Sequence, residues 1–176
     1  MNDSKIEIGF GGGCHWCTEA VFQLLIGVDH VKQGWIASDG ENTAFSEAIA
    51  VTYDPNLIDL KTLVAIHLRT HKSTTQHSMR EKYRSAIYTI SKSQSAEVLA
   101  IIKELQEQFE KSIITKTLAF IEFKESDEMF KNYYQKNPTK PFCRTYIDPK
   151  LKLLLTKFRK NIDLEAVPHL NMSSGN

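Results

Sequence analysis

The 176-residue chain is short of cysteine, of charge imbalance and of long apolar runs, and each shortage excludes something. Three cysteines are too few, and odd in number, for the static disulfide framework of a small secreted domain. Two of them, Cys14 and Cys17, are three apart, which suits reactive thiols in a reducing compartment; the expected location is the cytoplasm. Lys and Arg number 22 against 21 Asp and Glu, so a net charge of +1 gives no long-range attraction for nucleic acid or an anionic membrane. No run of roughly 18 apolar residues occurs, so no spanning helix is expected. The first residues carry no signal-peptide pattern, because a strand-like segment follows at once. The glycine-rich stretch lacks both the G-x-G-x-x-G spacing and the Lys-Ser/Thr of a P-loop, which makes it a poor phosphate site. No repeat or linker divides the chain. It reads as one domain over 1–176, with a core of about 5–160 and a flexible tail of about 163–176.

Hydrophobic periodicity and turn chemistry supply the elements. Strands are expected over 6–10, 28–36, 47–53, 85–90 and 117–123. Helices are expected over 16–25, 57–68, 91–109, 127–134 and 149–159, with Ser91 as an N-cap and Gly27 ending the first. The polar stretch 71–82 reads as a loop of functional length, and 170–176 as a frayed tail. The order suggests an α+β fold: a mainly antiparallel sheet with a split βαβ (ferredoxin-like plait) core, helices packed on the sheet, and an extended C-terminal segment.

Gly11-Gly12-Gly13-Cys14-His15-Trp16-Cys17-Thr18-Glu19 is the most informative stretch. It lies between two apolar runs and reads as strand, glycine turn and helix start. A thiol in the first helical turn faces unpaired N–H groups and the positive end of the helix dipole, both of which favour a thiolate. Cys14 is therefore the candidate nucleophile. Glu19, five residues on, is expected on roughly the same side of the helix as the candidate acid. Cys17 completes the C-x-x-C spacing of dithiol redox sites, and Cys143 lies in a proline-rich loop whose mobility would help a second thiol approach. His67 and His71, four apart, have no evident third ligand and read as a packed or exposed pair rather than a metal site. Residues 150–160 read as a basic, amphipathic surface helix.

The stretch 13–19 resembles the opening motif of the A-type peptide methionine sulfoxide reductases, a strand followed by Gly-Cys-Phe-Trp-Gly/Cys-x-Glu. The similarity continues through Gly27-Val28, Gly34-Trp35, Glu47 with Val51-Thr52-Tyr53-Asp54-Pro55, Tyr83-Arg84-Ser85-Ala86-Ile87-Tyr88, and Tyr133-Tyr134-Gln135-Lys136-Asn137-Pro138. These blocks cover about residues 5–143. Departures from the pattern are His15 for Phe, Trp35 for Tyr, Ser46 for a frequent His, Ser78 for a frequent Asp and Arg80 for a frequent Gly.

The resemblance implies reduction of the S epimer of methionine sulfoxide, free or peptide-bound, through a cysteine sulfenic acid and then a disulfide. Cys14 would attack, Glu19 would protonate the oxygen, and Tyr83 would hydrogen-bond it. Trp16, Trp35, His15, Glu47 and Ser78 would line the substrate site, with Trp16 walling the methyl group and Glu47 either supporting the site or lying exposed on a strand edge. Cys17 is the first choice as resolving thiol and Cys143 the second. Thioredoxin or a similar dithiol would restore a monomeric enzyme with no bound cofactor or metal. Two alternatives stand beside this reading: another C-x-x-C thiol-disulfide oxidoreductase, and a non-catalytic binder of oxidised methionine. A structural zinc module is disfavoured by the scattered ligand set.

Overall fold

A computed structural model describes residues 5–77, 79–80 and 82–168. Ser78 and the expected tail 170–176 lie outside the described residues. The architecture is α+β, built on a six-stranded, mostly antiparallel sheet. Its strands are β1 (Ile6–Gly11), β2 (Val28–Ala37), β3 (Ser46–Tyr53), β4 (Ala86–Thr89), β5 (Lys116–Ala119) and β6 (Glu122–Glu125), in the order β5-β4-β1-β3-β2-β6. Only the β4–β5 pair is parallel. The helices are α1 (His15–Gln23), α2 (Leu60–Arg69), α3 (Lys92–Leu105), α4 (Tyr133–Lys136) and α5 (Asp148–Lys157).

Alternation along the central strands divides two faces. Ile8, Phe10, Ile49, Val51 and Ile87 point to the helical side, where Phe10 stacks on Phe22 of α1 at 4.7 Å. On the other face a row of small residues, Gly34, Ala48, Gly11 and Ala86, runs across β2, β3, β1 and β4 in register. A second cluster of Ile36, Ala48, Ala86 and Tyr88, joined by Phe120 and Phe123, fills that side. Gly9 is part of the fit, since a Cβ there would lie 2.6 Å from Ile36 Cδ1.

Those small residues let the sheet curl. The single strand expected over 117–123 is two strands, β5 and β6, on opposite edges, joined by Phe120 and Ile121 alone. A flat sheet would set those edges roughly 24 Å apart at about 4.8 Å per strand, and two residues extend only about 7 Å. The edges meet because the curl brings the ends of β4 and β2 together. The Phe120 N–H donates to the Thr89 carbonyl at 2.9 Å, and the Ile121 N–H to that of Ala37 at 3.2 Å. Continuous apolar character hid the break, because pairing partners and not hydrophobicity decide it.

Helix boundaries follow local chemistry. Asp59 caps α2 by accepting from the Thr62 N–H at 2.7 Å, and Ser91 caps α3 by accepting from the Gln94 N–H at 3.1 Å. The helix expected over 127–134 is a 3₁₀ turn (Glu128–Phe130) and then α4, separated by Asn132 in the left-handed region at φ 56°. Cys143–Ile147 forms a π-helical turn leading into α5, whose Leu151, Leu154 and Leu155 face inward. The C-terminal segment straps the end of α1. The Ile26 N–H donates to the Asn161 carbonyl at 2.8 Å and the Asp163 N–H to that of Leu24 at 2.9 Å. Within the described part of the segment from 163, Val167 is fully buried.

Candidate active site

The chain leaves β1, turns through three glycines and enters α1 with Cys14 at its N-cap. Gly12 is required by close approach, since a Cβ there would lie 2.4 Å from His71 Cδ2. The Cys14 side chain makes no capping bond, so its half-buried sulfur is left facing the free amides of the first turn. The Cys17 S–H and the Trp16 and Cys17 N–H groups stabilise the thiolate. Together they hold the Cys14 pKa below the ordinary thiol value, against burial and the negative charge of Glu47. Cys17 moves the opposite way: donating to Cys14 and being buried both push its pKa far up. Cys14 is thus the more acidic of the two thiols and Cys17 the less acidic. Iodoacetamide should accordingly alkylate Cys14 with an apparent pKa below 9.0. Cys17→Ala should raise that midpoint, while Cys17→Ser, whose hydroxyl still donates, should largely keep it. Mass-spectrometric alkylation rates across pH check both variants.

Cys14 opens on a cavity of about 430 Å³ that also contains His15, Trp16, Trp35, Glu47 and Tyr83. Six of the residues singled out from the sequence thus come together here. Trp16 stacks on Tyr133 at 4.1 Å and meets Phe142 edge-on, giving the cavity an apolar wall. His15 meets Trp35 edge-on at 5.1 Å. Its Nδ1 lies 2.8 Å from the Gly34 carbonyl oxygen, which only accepts, so Nδ1 carries the hydrogen. Nε2 then faces Glu47 Oε1 at 3.3 Å. Burial pushes the His15 pKa down, while the Gly34 bond and Glu47 oppose it. Lys82, at the mouth, lies 3.8 Å from Glu47 Oε2.

Glu19 does not join them. Five helical positions rotate it about 140° from Cys14 at 3.6 residues per turn, so the expected common side is corrected. Its carboxylate is 1% exposed and accepts the Asn132 and Tyr133 N–H groups at 3.0 and 3.2 Å. Burial raises its pKa, but it ties the loop before α4 to α1 and lines neither cavity that contains Cys14. Cys143 is also displaced from its expected mobile loop, being fully buried on the π-helical turn. Ser46 is a structural residue: its hydroxyl donates to the Lys82 carbonyl at 3.0 Å and accepts the Arg84 N–H at 2.7 Å.

Sequence reasoning named Arg80 only as a departure and missed its work. Its guanidinium donates to the carbonyls of Gly12 and Tyr83, both at 2.9 Å, and to those of Lys72 and Thr75. It thereby fixes the 71–82 loop against the glycine turn. Lys82 and Phe142 also escaped notice. His67 and His71 are packed: His67 Nε2 lies 2.8 Å from the Gly11 carbonyl and His71 Nε2 2.7 Å from Ser85 Oγ.

An acidified thiol beside a second, less acidic one is equipped to pass two electrons through sulfur, which makes the class a thiol-dependent oxidoreductase. The sequence profile described as peptide methionine sulfoxide reductase matches residues 6–162. The peptide methionine sulfoxide reductase MsrA of Sulfolobus acidocaldarius is 33% identical over 170 residues, covering 89% of this chain and 94% of that protein. The reduced form of Mxr1 from Saccharomyces cerevisiae shares the fold, with a TM-score of 0.70 at 24% identity over 83% of this chain and 93% of that one. Mxr1 in complex with Trx2 aligns with a TM-score of 0.58 at 22% identity, over 74% and 86% of the two chains. The chain belongs to the peptide methionine sulfoxide reductase family, and methionine sulfoxide reduction is its activity.

Proposed function

We propose that the protein reduces the S epimer of methionine sulfoxide, free or peptide-bound, in the 430 Å³ cavity, with Cys14 as nucleophile. The observation carrying this reading is the lowered pKa of a half-buried Cys14 in the same cavity as Glu47 and Tyr83. The Cys14 thiolate attacks the sulfoxide sulfur while the oxygen takes a proton. Methionine leaves, and the oxygen stays on Cys14 as a sulfenic acid. Trp16 and Phe142 wall the methyl group, the Tyr83 hydroxyl donates to the oxygen, and Trp35 closes the far side.

Glu47, not Glu19, is the acid in this reading, and His15 supports it. With Nδ1–H committed to Gly34, His15 places Nε2 3.3 Å from Glu47 Oε1, and its main-chain N–H donates to the same oxygen at 3.4 Å, so one residue holds the carboxyl in the cavity.

Cys17 then condenses with the sulfenic acid, releasing water and forming a Cys14–Cys17 disulfide that thioredoxin reduces. The proximity of Cys17 to Cys14 supports this choice over Cys143, whose charge acts on Cys17 and whose side chain is buried. A monomer in the reducing cytoplasm suits these free thiols. The strand order β4-β1-β3-β2, with α1 and α2 as crossovers, supports reading the centre of the sheet as a ferredoxin-like plait within one domain.

The test supplies both epimers of N-acetylmethionine sulfoxide with dithiothreitol; only the S epimer should be consumed. Enzyme treated with substrate and no reductant should contain a Cys14–Cys17 disulfide by mass spectrometry. Cys17→Ser should complete one oxygen transfer at the wild-type rate and recycle slowly with thioredoxin. A map showing only Cys14–Cys143 would reassign Cys17 to packing.

A further inference from the structure

Cys14 has a second face. Beside the substrate cavity, with which it shares Cys14, Tyr83 and Phe142, lies a larger one of about 650 Å³, and there Cys17 is also part of the lining. The two cavities differ in charge. Glu47 and Lys82 line the smaller; among the described residues the larger is lined by Arg69, Lys72 and Lys150 and by no carboxylate. Lys150, from α5, is half-buried, and its Nζ donates to the Thr70 carbonyl. Burial pushes its pKa down, and both Cys17 and Cys14 push it back up, so this cation and the two sulfurs feel one another. Lys72 is exposed on the opposite wall and makes no ion pair among the described residues. Arg69 is already engaged, donating to Gln108 and lying 4.4 Å above the Phe109 ring.

We propose that this second cavity receives a small thiol bearing carboxylate groups, which reduces the oxidised enzyme at Cys17. The inference rests on the reading that turnover produces a Cys14–Cys17 disulfide. Its ligand class comes from three observations. The volume falls in the roughly 300–1,000 Å³ range of small-molecule sites. The walls hold cations without acids, so a carboxylate is welcomed and a cation repelled. Cys17 is 4% exposed on the floor, within reach of a reagent that enters the cavity.

The exchange balances in two steps. The ligand thiolate attacks Cys17 Sγ, and the electron pair of the enzyme disulfide leaves on Cys14. Cys14 is the better leaving group because its thiolate is the one the site stabilises. A second thiol molecule then attacks the ligand sulfur of the mixed disulfide. Cys17 departs with the electron pair and takes up a proton. Two small thiols have become one disulfide, and the enzyme disulfide has become two cysteines. The reductant thus enters by the cavity that Cys17 lines, and this route runs beside recycling by thioredoxin.

The test starts from enzyme oxidised by one equivalent of N-acetylmethionine S-sulfoxide and mapped for its disulfide. Thiol regeneration is then timed with glutathione, 3-mercaptopropionate, 2-mercaptoethanol and cysteamine, each corrected for thiolate concentration and basicity. The anionic thiols should exceed cysteamine by roughly tenfold or more at low salt, as electrostatic focusing into a charged cleft gives. That advantage should shrink in high salt and collapse in Lys72→Glu, which leaves the oxygen-transfer step unchanged. A disulfide that forms normally but reacts without regard to thiol charge overturns the proposal alone. So does an anionic preference that Lys72→Glu leaves intact. Absence of the Cys14–Cys17 disulfide in the oxidised enzyme overturns the underlying reading and the proposal with it.

Discussion

Glu47→Gln is expected to slow single-turnover reduction of methionine sulfoxide by roughly 10²–10⁴-fold, the range for loss of a positioned general acid. The amide keeps the shape of the side chain and removes the proton. Rapid-quench measurement with stoichiometric N-acetylmethionine S-sulfoxide isolates this step from recycling. Glu19→Gln is the control. It should leave the chemical rate near wild type and lower the unfolding midpoint, because one of the two N–H groups that Glu19 accepts loses its partner. His15→Phe removes the Nε2 contact to Glu47 Oε1 at 3.3 Å and should slow the same step less than Glu47→Gln does, because the carboxyl remains but is held less firmly. An unchanged single-turnover rate in Glu47→Gln would remove Glu47 from the chemistry.

The second large effect is on stability in acid. Complete burial lowers the His67 pKa to about 3, and burial lowers that of His71 well below 6.5. Unfolded histidine takes up a proton near pH 6.5, and the folded protein refuses it until much lower pH. Stability is therefore full above about pH 6.5 and is lost as the pH falls toward 3. Each histidine contributes a slope approaching roughly 1.4 kcal/mol per pH unit. Urea unfolding between pH 7 and 4 reads this directly. His67→Gln offers an N–H to the Gly11 carbonyl without titrating, and should flatten the decline by about one histidine's slope. A decline just as steep in His67→Gln would mean that other groups drive acid unfolding.

The same two histidines mark where the sequence was legible and where it stopped. Spacing and the Ser91 cap located α3, while spacing alone placed the second helix over 57–68 and so started it before the Asp59 cap. The strand boundaries of β1, β2 and β3 were equally local. Pairing was not: nothing within 116–125 says that one half joins β4 and the other β2. At the site, Cys14, His15, Trp16, Trp35, Glu47 and Tyr83 were all named from the chain and meet in one cavity. The proposed reading exchanges the roles of the two carboxylates. Glu19 was judged by nearness in sequence, whereas Glu47 comes to the cavity of Cys14 from β3. Arg80 and Lys150 act on carbonyls and sulfurs far along the chain, and only the assembled loops bring them there.

The two-residue link between β5 and β6 also sets an order of assembly. Gly34 pairs with Glu125, 91 positions later, so the outer strand closes on β2 only after most of the chain exists. Contacts that distant form slowly. Three residues of the substrate cavity, Ser126, Phe130 and Phe142, lie beyond that strand. A nascent chain emerging from the ribosome would hold the glycine turn and its reactive sulfur long before it holds the walls around them. The walls around that sulfur are complete only when the residues beyond the last strand, as far as Phe142, have docked as well.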